Sequence, residues 1–262
     1  MAEGRYMRQV VLISGAASGF GARAARDFAA QGARLVLSDL DGARLSTVAE
    51  GLRDAGREVL AEVVDVSDPE QMQAHHAHAL EQFGRLDVAV NNAGRAHALT
   101  PLPDLPLATF EETMAVNARG VFLAMKNQIP IMAGQGSGVI LNVASAAGLV
   151  GAGHLSAYAA AKHAVIGLTR SAADETARKG IRINALCPSF ADTPLYDEIA
   201  GAVAGRANFT RAEADARITG RIPMGRVAQP QEVVQAMLWL CSPENTFMTG
   251  QAIALDGGLT AI

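Results

Sequence analysis

The sequence predicts an α/β fold in which helices cover both faces of a doubly wound, seven-stranded parallel sheet. Half of the 262 residues are hydrophobic, which is enough to bury a large core. Short apolar runs alternate with longer helical patterns along the whole chain. No stretch rich in Pro, Gly or Ser divides this pattern, so residues 1–262 are expected to form a single domain.

Seven apolar runs have the length of strands that are buried on both faces, and helical patterns separate nearly all of them. The predicted strands span residues 9–14, 34–38, 58–64, 86–91, 138–144, 181–186 and 251–255. The clearest helical patterns span residues 19–31, 43–55, 109–132 and 155–170. Such alternation predicts right-handed crossovers, and ligands bind these sheets beyond the carboxyl ends of the strands. Functional residues are therefore expected at strand ends.

A glycine-rich turn follows the first predicted strand. It contains Gly15, Gly19 and Gly21, with Ser18 and Phe20 between them. Glycines let the backbone approach a ligand closely, and the N-terminus of the following helix offers free N–H groups to a pyrophosphate. The spacing differs from the G-x-G-x-x-G fingerprint, so this segment alone is equally compatible with a tight turn that binds nothing.

Asp39 at the end of the second predicted strand favours NAD over NADP. It lies 18 positions after Gly21, about where an acidic residue receives the adenosine ribose 2′-hydroxyl. Its charge would repel a 2′-phosphate, and the neighbouring positions Ser18 and Leu40 offer no basic side chain. The alternative is that Asp39 only caps or turns the chain before the next helix.

Tyr158 and Lys162 lie four residues apart in the predicted helix 155–170. At this spacing two side chains share one helix face. If the ammonium came within ~4 Å of the phenolic oxygen, it would lower the pKa of the phenol toward neutrality, where acid/base catalysis is efficient. Taken alone, a packed tyrosine beside a solvated lysine is the commoner interpretation.

Further polar residues are expected near the same edge of the sheet. The fourth predicted strand is followed by Asn92, Ala93 and Gly94, which suit either a close approach to a flat ring or an ordinary turn. Ser145 follows the fifth strand. Asn117 stands inside a helical pattern, where asparagine is unfavourable because it competes for backbone hydrogen bonds.

These motifs together resemble the short-chain dehydrogenases/reductases, in their single-domain NAD(P)-dependent alcohol dehydrogenase branch. The similarity covers nearly the whole chain. It rests on Ser14-Gly15-x-x-x-Gly19-x-Gly21, Asp65, Asn91-Asn92-Ala93-Gly94, Asn117, Ser145, Tyr158-x-x-x-Lys162 and residues 184–193. The resemblance implies a Rossmann-like fold and an enzyme that transfers a hydride between a nicotinamide cofactor and an alcohol or ketone.

The resemblance also implies a catalytic tetrad. Tyr158 would be the general acid/base, and Ser145 would hold the substrate oxygen. Lys162 would lower the pKa of Tyr158 and bind the nicotinamide ribose. Asn117 would support a water molecule on a proton path to Lys162.

Taken with the resemblance, the sequence predicts an NAD site with Asp65 and Val66 at the adenine and Thr193 at the carboxamide. The expected residues are Gly15, Ser18, Gly19, Phe20, Gly21, Asp39, Leu40, Asp65, Val66, Asn92, Ala93, Gly94, Tyr158, Lys162, Pro188, Ala191 and Thr193. Two positions depart from the family pattern: Ser14 replaces a threonine, and Ser189 replaces a glycine beside the expected nicotinamide site. The Cβ of Ser189 is expected to change a backbone angle or to narrow the pocket.

Residues 192–221 form the least regular stretch of the sequence and resemble a lid over the substrate. The expected substrate contacts are Ser145, Ala147, His154, Tyr158, Phe190 and Tyr196, with Leu149 and Val150 beside them. This apolar set favours a neutral, largely apolar secondary alcohol or ketone that could be cyclic or steroid-like. Charged contacts from Arg206, Arg211 or His97 would change that expectation.

Two other functions are compatible with this pattern. A 3-oxoacyl-thioester reductase of the acyl-carrier-protein type would normally use NADPH, which Asp39 disfavours. A non-catalytic dinucleotide-binding regulator would be expected to have lost part of the tetrad.

Composition argues against several classes of partner. A net charge of −4 without a long basic run indicates neither nucleic acid nor a membrane surface. No metal is expected, because Cys187 and Cys241 fit buried thiols and the run from His75 to His78 fits a solvated helix face. The short apolar start favours a cytoplasmic protein. The resemblance implies a homotetramer.

Overall fold

The computed structural model describes residues 4–261, which form one seven-stranded parallel sheet flanked by α-helices. The strands are β1 (Val10–Ser14), β2 (Arg34–Asp39), β3 (Val59–Val63), β4 (Val88–Asn91), β5 (Gly138–Val143), β6 (Ile181–Pro188) and β7 (Ala252–Leu255). The helices are α1 (Gly19–Ala30), α2 (Gly42–Asp54), α3 (Pro69–Phe83), α4 (Leu107–Met114), α5 (Gly120–Gln135), α6 (Ser156–Thr176), α7 (Pro194–Ala207), α8 (Arg211–Thr219) and α9 (Pro230–Cys241). Over the same residues, no helix has the length and apolar character needed to cross a membrane.

The strand order confirms the predicted doubly wound fold. It runs β3-β2-β1-β4-β5-β6-β7, and every neighbouring pair is parallel. The chain reverses its direction of winding between β1 and β4. The carboxyl ends of these two strands therefore flank a crevice at the edge where ligands bind such sheets.

Each central strand is buried on both faces, which explains its uninterrupted apolar sequence. In β1, Val11 and Ile13 join a core cluster with Phe28 of α1 and residues of α9. The intervening residues Val10 and Leu12 join a second cluster on the opposite face, with residues of α5 and α6. Because successive strand residues point to opposite faces, the two clusters clamp the sheet between two helical layers.

The helix predicted over residues 109–132 is interrupted, so that prediction was wrong in part. Residues 115–119 form a π-helical turn between α4 and α5. Asn117 lies in this turn, and its amide donates to the carbonyl oxygens of Thr113 at 3.0 Å and Arg95 at 2.8 Å. Its Oδ1 also accepts from the Arg95 N–H at 3.1 Å. These side-chain bonds compete with the regular helical ladder, which is why the helix widens here.

The substrate-side segment 192–221 is more regular than its sequence indicated. It contains α7 and α8, and each of these helices has a capped start. Thr193 caps α7, and Thr210 forms a capping box with Glu213 at the start of α8. Short capped helices with mixed polar faces give a weak periodic signal, so the pattern alone concealed them.

The prediction that the histidines of α3 form a solvated helix face was wrong for two of the three. His75 and His76 are buried, and only His78 is exposed. The carboxylate of Glu62 on the edge strand β3 lies 2.6 Å from the Nδ1 atoms of both His75 and His78. The Nδ1 atom of His76 instead lies 2.7 Å from the Met72 carbonyl oxygen. Within residues 4–261, no three His, Cys, Asp or Glu side chains are grouped to hold a metal.

The burial of His76 predicts a loss of stability in mild acid. Burial lowers the pKa of His76 to about 4, whereas the unfolded value is near 6.5. Between these values the unfolded chain binds a proton that the folded chain excludes, so stability is lost as the pH falls from 6.5 toward 4. The full effect is roughly 3 kcal/mol. Urea unfolding of the His76→Leu variant should show a smaller loss over this range than the wild type.

The exposed His154 provides the control for this measurement. The His154→Asn variant should keep the pH slope of the wild type. Equal slopes for the wild type and His76→Leu would contradict the assignment of the acid sensitivity to His76.

Candidate active site

The four residues of the expected tetrad line one cavity at the carboxyl edge of the sheet. The cavity has a volume of about 480 Å³, and its walls include Asn117, Ser145, Tyr158 and Lys162. These residues come from the π-helical turn before α5, the end of β5 and the first turns of α6. The fold thus brings together side chains that are up to 45 positions apart in the sequence.

Tyr158 and Ser145 form the polar centre of the cavity. Burial raises the pKa of Tyr158 above its ordinary value, and a hydrogen bond with Ser145 opposes this effect. The Ser145 Oγ also accepts from the Ala147 N–H at 3.1 Å, which fixes the side chain at the end of β5. The phenol is therefore protonated at neutral pH in this structure.

Lys162 is buried, with 3% of its surface exposed. Its ammonium donates to the carbonyl oxygen of Val143 at 2.8 Å and lies 5.6 Å from the centre of the Tyr158 ring. Burial lowers the pKa of Lys162 to about 8. The expected lowering of the Tyr158 pKa by Lys162 is not seen here. Burial has the largest effect on the pKa of the phenol, and the Lys162 ammonium donates to a backbone carbonyl oxygen instead.

Gly94 allows Asn117 and Lys162 to approach the loop after β4. A Cβ atom on Gly94 would lie 2.8 Å from the Asn117 Oδ1 atom and 3.4 Å from the Lys162 Nζ atom. The first distance is shorter than real Cβ contacts, so a side chain here would displace Asn117. The position after Ala93 therefore requires glycine on steric grounds.

The glycine turn has the form of a cradle for a diphosphate. Gly15 and Gly19 have positive φ angles of 67° and 51°, and a Cβ on Gly21 would lie 2.0 Å from the Gly15 carbonyl oxygen. The Asn92 amide donates to the carbonyl oxygens of Ser14 and Gly15, each at 3.0 Å, and so braces the turn. No side chain caps α1, so its first N–H groups are free for a ligand.

Ser14 keeps the function that a threonine hydroxyl would have at the same place. Its Oγ accepts from the N–H groups of Asn92 and Ala93, each at 3.1 Å. This contact ties the end of β1 to the end of β4 across the crevice.

Asp39 lines the same cavity at the end of β2. Its two carboxylate oxygens accept from the N–H groups of Ala17 at 2.9 Å and Asp41 at 3.0 Å. These bonds hold the carboxylate beside the glycine turn, where it can accept from the hydroxyls of a ribose. The residues at this end of the cavity fit the adenosine half of a dinucleotide.

Most of the expected cofactor residues line the cavity, but two lie outside its walls. The lining residues are Gly15, Ser18, Gly19, Phe20, Asp39, Leu40, Val66, Asn92, Ala93, Gly94, Tyr158, Lys162, Pro188, Ala191 and Thr193. Gly21 packs beneath the turn instead. The Asp65 Oδ1 atom accepts from the N–H and hydroxyl of Ser67 at 2.8 and 2.7 Å, so this carboxylate shapes the loop after β3.

The substrate side differs from the expectation at His154. Ala147, Phe190 and Tyr196 line the cavity, but His154 does not. The φ angle of His154 is 66° and its side chain is exposed, because the left-handed turn before α6 directs it to solvent. Leu149 also lies outside the walls, and it packs in the core instead.

Ser189 fits its position without a left-handed backbone. It is absent from the residues of positive φ, and its N–H donates to the Leu255 carbonyl oxygen at 3.2 Å. The Cβ of Ser189 therefore does not require the changed backbone angle that the sequence led us to expect. The residue forms part of the cavity wall.

Two aromatic side chains line the cavity, Phe190 and, on α7, Tyr196. The Tyr196 hydroxyl donates to the Asp215 Oδ1 atom at 2.6 Å, and Arg211 Nε donates to both Asp215 oxygens at 3.0 and 3.1 Å. The Phe190 ring meets the Tyr196 ring edge-on, with centroids 6.3 Å apart. Because the Tyr196 hydroxyl is hydrogen-bonded to Asp215, Tyr196 contributes mainly its apolar ring to the cavity wall.

Arg211 and His97, two of the charged residues expected as alternative substrate contacts, do not line the cavity. Arg211 is held by the carboxylates of Asp197 and Asp215, and the Nδ1 atom of the buried His97 lies 2.8 Å from the Ala98 carbonyl oxygen. Arg206 lies outside the residues whose side chains the structure describes.

Several lining residues carried no signal in the sequence. Arg95, Ile199, Arg221 and Leu259 line the cavity, and they come from four separate segments. None belongs to a motif with fixed spacing. Only tertiary packing brings them to the site.

The burial of Lys162 predicts that this lysine reduces the stability of the folded chain. Its pKa is about 8 in the folded chain and near 10.5 in the unfolded chain, so folding disfavours the charged form. Replacement in Lys162→Met should raise the free energy of unfolding at pH 7 by about 1–3 kcal/mol. The wild type should gain stability as the pH rises from 8 to 10.5, and the variant should lack that gain.

Urea unfolding across this pH range checks the prediction. Lys126 on α5 is exposed, so the Lys126→Met variant serves as the matched control and should follow the wild type. A Lys162→Met variant that is less stable than the wild type at pH 7 would contradict the account.

Comparison with known proteins places the whole chain in one group. Residues 15–260 match a family model described as enoyl-(acyl carrier protein) reductase. The chain is 42% identical over 258 residues to cis-4-hydroxycyclohexanecarboxylate dehydrogenase of Sinomonas cyclohexanicum, a match that covers 98% of each protein.

Solved structures show the same architecture. The crystal structure of levodione reductase superposes with a TM-score of 0.94 at 35% identity, covering 98% of this chain and 99% of that chain. A variant of the actinorhodin polyketide ketoreductase, solved with NADPH, gives a TM-score of 0.93 at 34% identity, covering 97% of this chain and 98% of that chain.

Proposed function

Since the chain belongs to the short-chain dehydrogenase/reductase family and is an oxidoreductase of alcohols and ketones, we propose that it transfers a hydride between NAD(H) and a cyclic secondary alcohol or its ketone. The observation that supports this proposal most directly is that the glycine turn lines the same cavity as Asn117, Ser145, Tyr158 and Lys162. A regulator that only binds a dinucleotide has no need of this complete polar set.

In this proposal, Tyr158 moves the proton and Ser145 holds the substrate oxygen. The bound nicotinamide supplies the hydride chemistry. The raised pKa of Tyr158 keeps its phenol ready to donate a proton to the oxygen of a ketone during reduction. For alcohol oxidation the phenol has to lose its proton, and the Ser145 hydroxyl and the Lys162 ammonium are the groups that would favour the phenolate.

NAD is the proposed cofactor because of the charge at Asp39. Its carboxylate lines the cavity beside the glycine turn, and a 2′-phosphate there would be repelled. Leu40 also lines this end and offers no cation. The ketoreductase with a similar fold was solved with NADPH, so the proposal of NAD for this chain rests on Asp39 and Leu40.

An apolar ring is the proposed core of the substrate. The walls around Ser145 and Tyr158 include Ala147, Val150 and Phe190, with further aliphatic side chains from the lid. Burial of a saturated ring against such walls is favourable and needs few hydrogen bonds. A relative with 42% identity is named cis-4-hydroxycyclohexanecarboxylate dehydrogenase, which supports a cyclic alcohol as the substrate.

A cytoplasmic homotetramer is part of the proposal. Phe110 on α4 and Phe122 on α5 are 39% and 47% exposed, and Trp239 on α9 is 50% exposed. Large exposed aromatic side chains are common where subunits meet. Contacts through α5 and α6, with the segment around β7, would form the two interfaces of a symmetric tetramer.

The Tyr158→Phe variant tests the acid/base assignment. Loss of the phenolic hydroxyl should reduce turnover of secondary alcohols by about 10²- to 10⁴-fold, while the affinity for NADH, measured by fluorescence titration, stays nearly unchanged. Tyr6→Phe is the control, because the Tyr6 hydroxyl donates to the Leu238 carbonyl oxygen away from the cavity. Undiminished turnover in Tyr158→Phe would refute the mechanism.

The Asp39→Asn variant tests the choice of cofactor. The amide keeps an acceptor oxygen for the turn but removes the charge that repels a 2′-phosphate. The ratio of kcat/KM with NAD to that with NADP should fall by about tenfold or more. Asp41→Asn is the matched control, because Asp41 caps α2 outside the cavity. A wild-type preference for NADP would overturn the proposal.

A further inference from the structure

Arg221 is a cation of the cavity wall that the proposed mechanism does not use. It lies just after α8, lines the cavity and is exposed. Among the described residues its guanidinium has no hydrogen-bond or ion-pair partner. The other arginine in the wall, Arg95, lies 3.2 Å from Glu112, and Arg211 on the lid pairs with two carboxylates. Arg221 is therefore available to a ligand.

The cavity offers Arg221 no acidic partner of its own. Asp39 is the one carboxylate among the described lining residues, and it stands at the end of β2. The segment that follows Arg221 lies near β7, at the opposite edge of the sheet from β2. The Met224 N–H donates to the Gly257 carbonyl oxygen, just after β7, at 3.1 Å. Five strand spacings separate β2 from β7, which is roughly 24 Å. The charge of Asp39 is therefore too distant to neutralise Arg221.

The surroundings of Arg221 make it a specific contact for an anion. The same cavity wall includes Tyr196, Ile199 and Leu259, which are apolar or, for Tyr196, have the hydroxyl bonded to Asp215. A guanidinium at the edge of an apolar cavity pairs with a carboxylate through two parallel hydrogen bonds. Because Arg221 is exposed, the paired geometry of the two hydrogen bonds is what raises this contact above an ordinary surface ion pair.

We propose that Arg221 is an anion subsite, and that the preferred substrates are cyclic hydroxy or oxo acids whose carboxylate pairs with its guanidinium. This inference rests on the proposed function and sharpens its substrate class. The ring is buried by the apolar walls near Ser145 and Tyr158, and the carboxylate reaches Arg221 at the lid. The proposal adds a preference for one charged end to the neutral, largely apolar alcohol or ketone that the sequence predicts.

Binding of an unreactive pair of probes tests the subsite. Cyclohexanecarboxylate and cyclohexanecarboxamide have the same ring but differ in charge, and neither has a hydroxyl or ketone to react. Calorimetric titration into the enzyme saturated with NADH should show tighter binding of the carboxylate. The Arg221→Gln variant should raise the Kd of the carboxylate by about five- to tenfold, and it should change the Kd of the carboxamide by less than about twofold.

Arg217→Gln is the matched control. Arg217 is an exposed arginine of α8 that lies over the Phe209 ring and outside the cavity wall, so its loss should leave both Kd values unchanged. Arg221→Lys should restore part of the carboxylate affinity, because an ammonium keeps the charge without the planar fork.

Three results would overturn the proposal. The first is equal binding of the two probes by the wild type, and the second is an Arg221→Gln variant that binds the carboxylate as the wild type does. The third is an Arg221→Gln variant that loses affinity for NADH itself, which would assign the cation to the cofactor diphosphate. The probes cannot react, so their binding is measured independently of turnover. If carboxylate binding depends on Arg221 but no alcohol is turned over, the proposed function is refuted and the anion subsite is not.

Discussion

The site depends on one buried charge, the ammonium of Lys162. It donates to the carbonyl oxygen of Val143, the last residue of β5, and thereby fixes α6 to the strand that leads into Ser145. Placing an ammonium in this position is unfavourable, and the pKa of about 8 reflects the loss of hydration. The surrounding fold holds a lysine where a solvated one would be more stable, as is common where residues are selected for chemistry.

Two irregularities of the fold lie next to that charge. Gly94 has no side chain, so the Asn117 amide and the Lys162 ammonium can both lie close to it. Asn117 in turn uses its amide on Arg95 and Thr113, and the helix widens into a π-turn around it. A glycine, a helix defect and a buried cation thus form one arrangement. In the wider fold, the two apolar clusters on either side of the sheet hold these elements in register.

Much of this arrangement could be predicted from sequence because its signals are local. Strands buried on both faces give unbroken apolar runs, so the predicted strand ends were correct to within two residues. Contacts between distant segments could not be predicted. His154 is close to Tyr158 in sequence, yet its left-handed backbone turns it to solvent. Arg221 reaches the cavity through the packing of the chain after α8 near Gly257, and no motif marks it.

The most direct test follows the hydrogen that is transferred. Cyclohexanol and cis-4-hydroxycyclohexanecarboxylate, each with deuterium on the carbinol carbon, would be incubated separately with the enzyme and NAD, and the nicotinamide product analysed by mass spectrometry. We expect deuterium to appear in NADH, because a hydride passes directly from the ring carbon to the cofactor. NADH without deuterium, or no NADH from either alcohol, would contradict the proposed reaction.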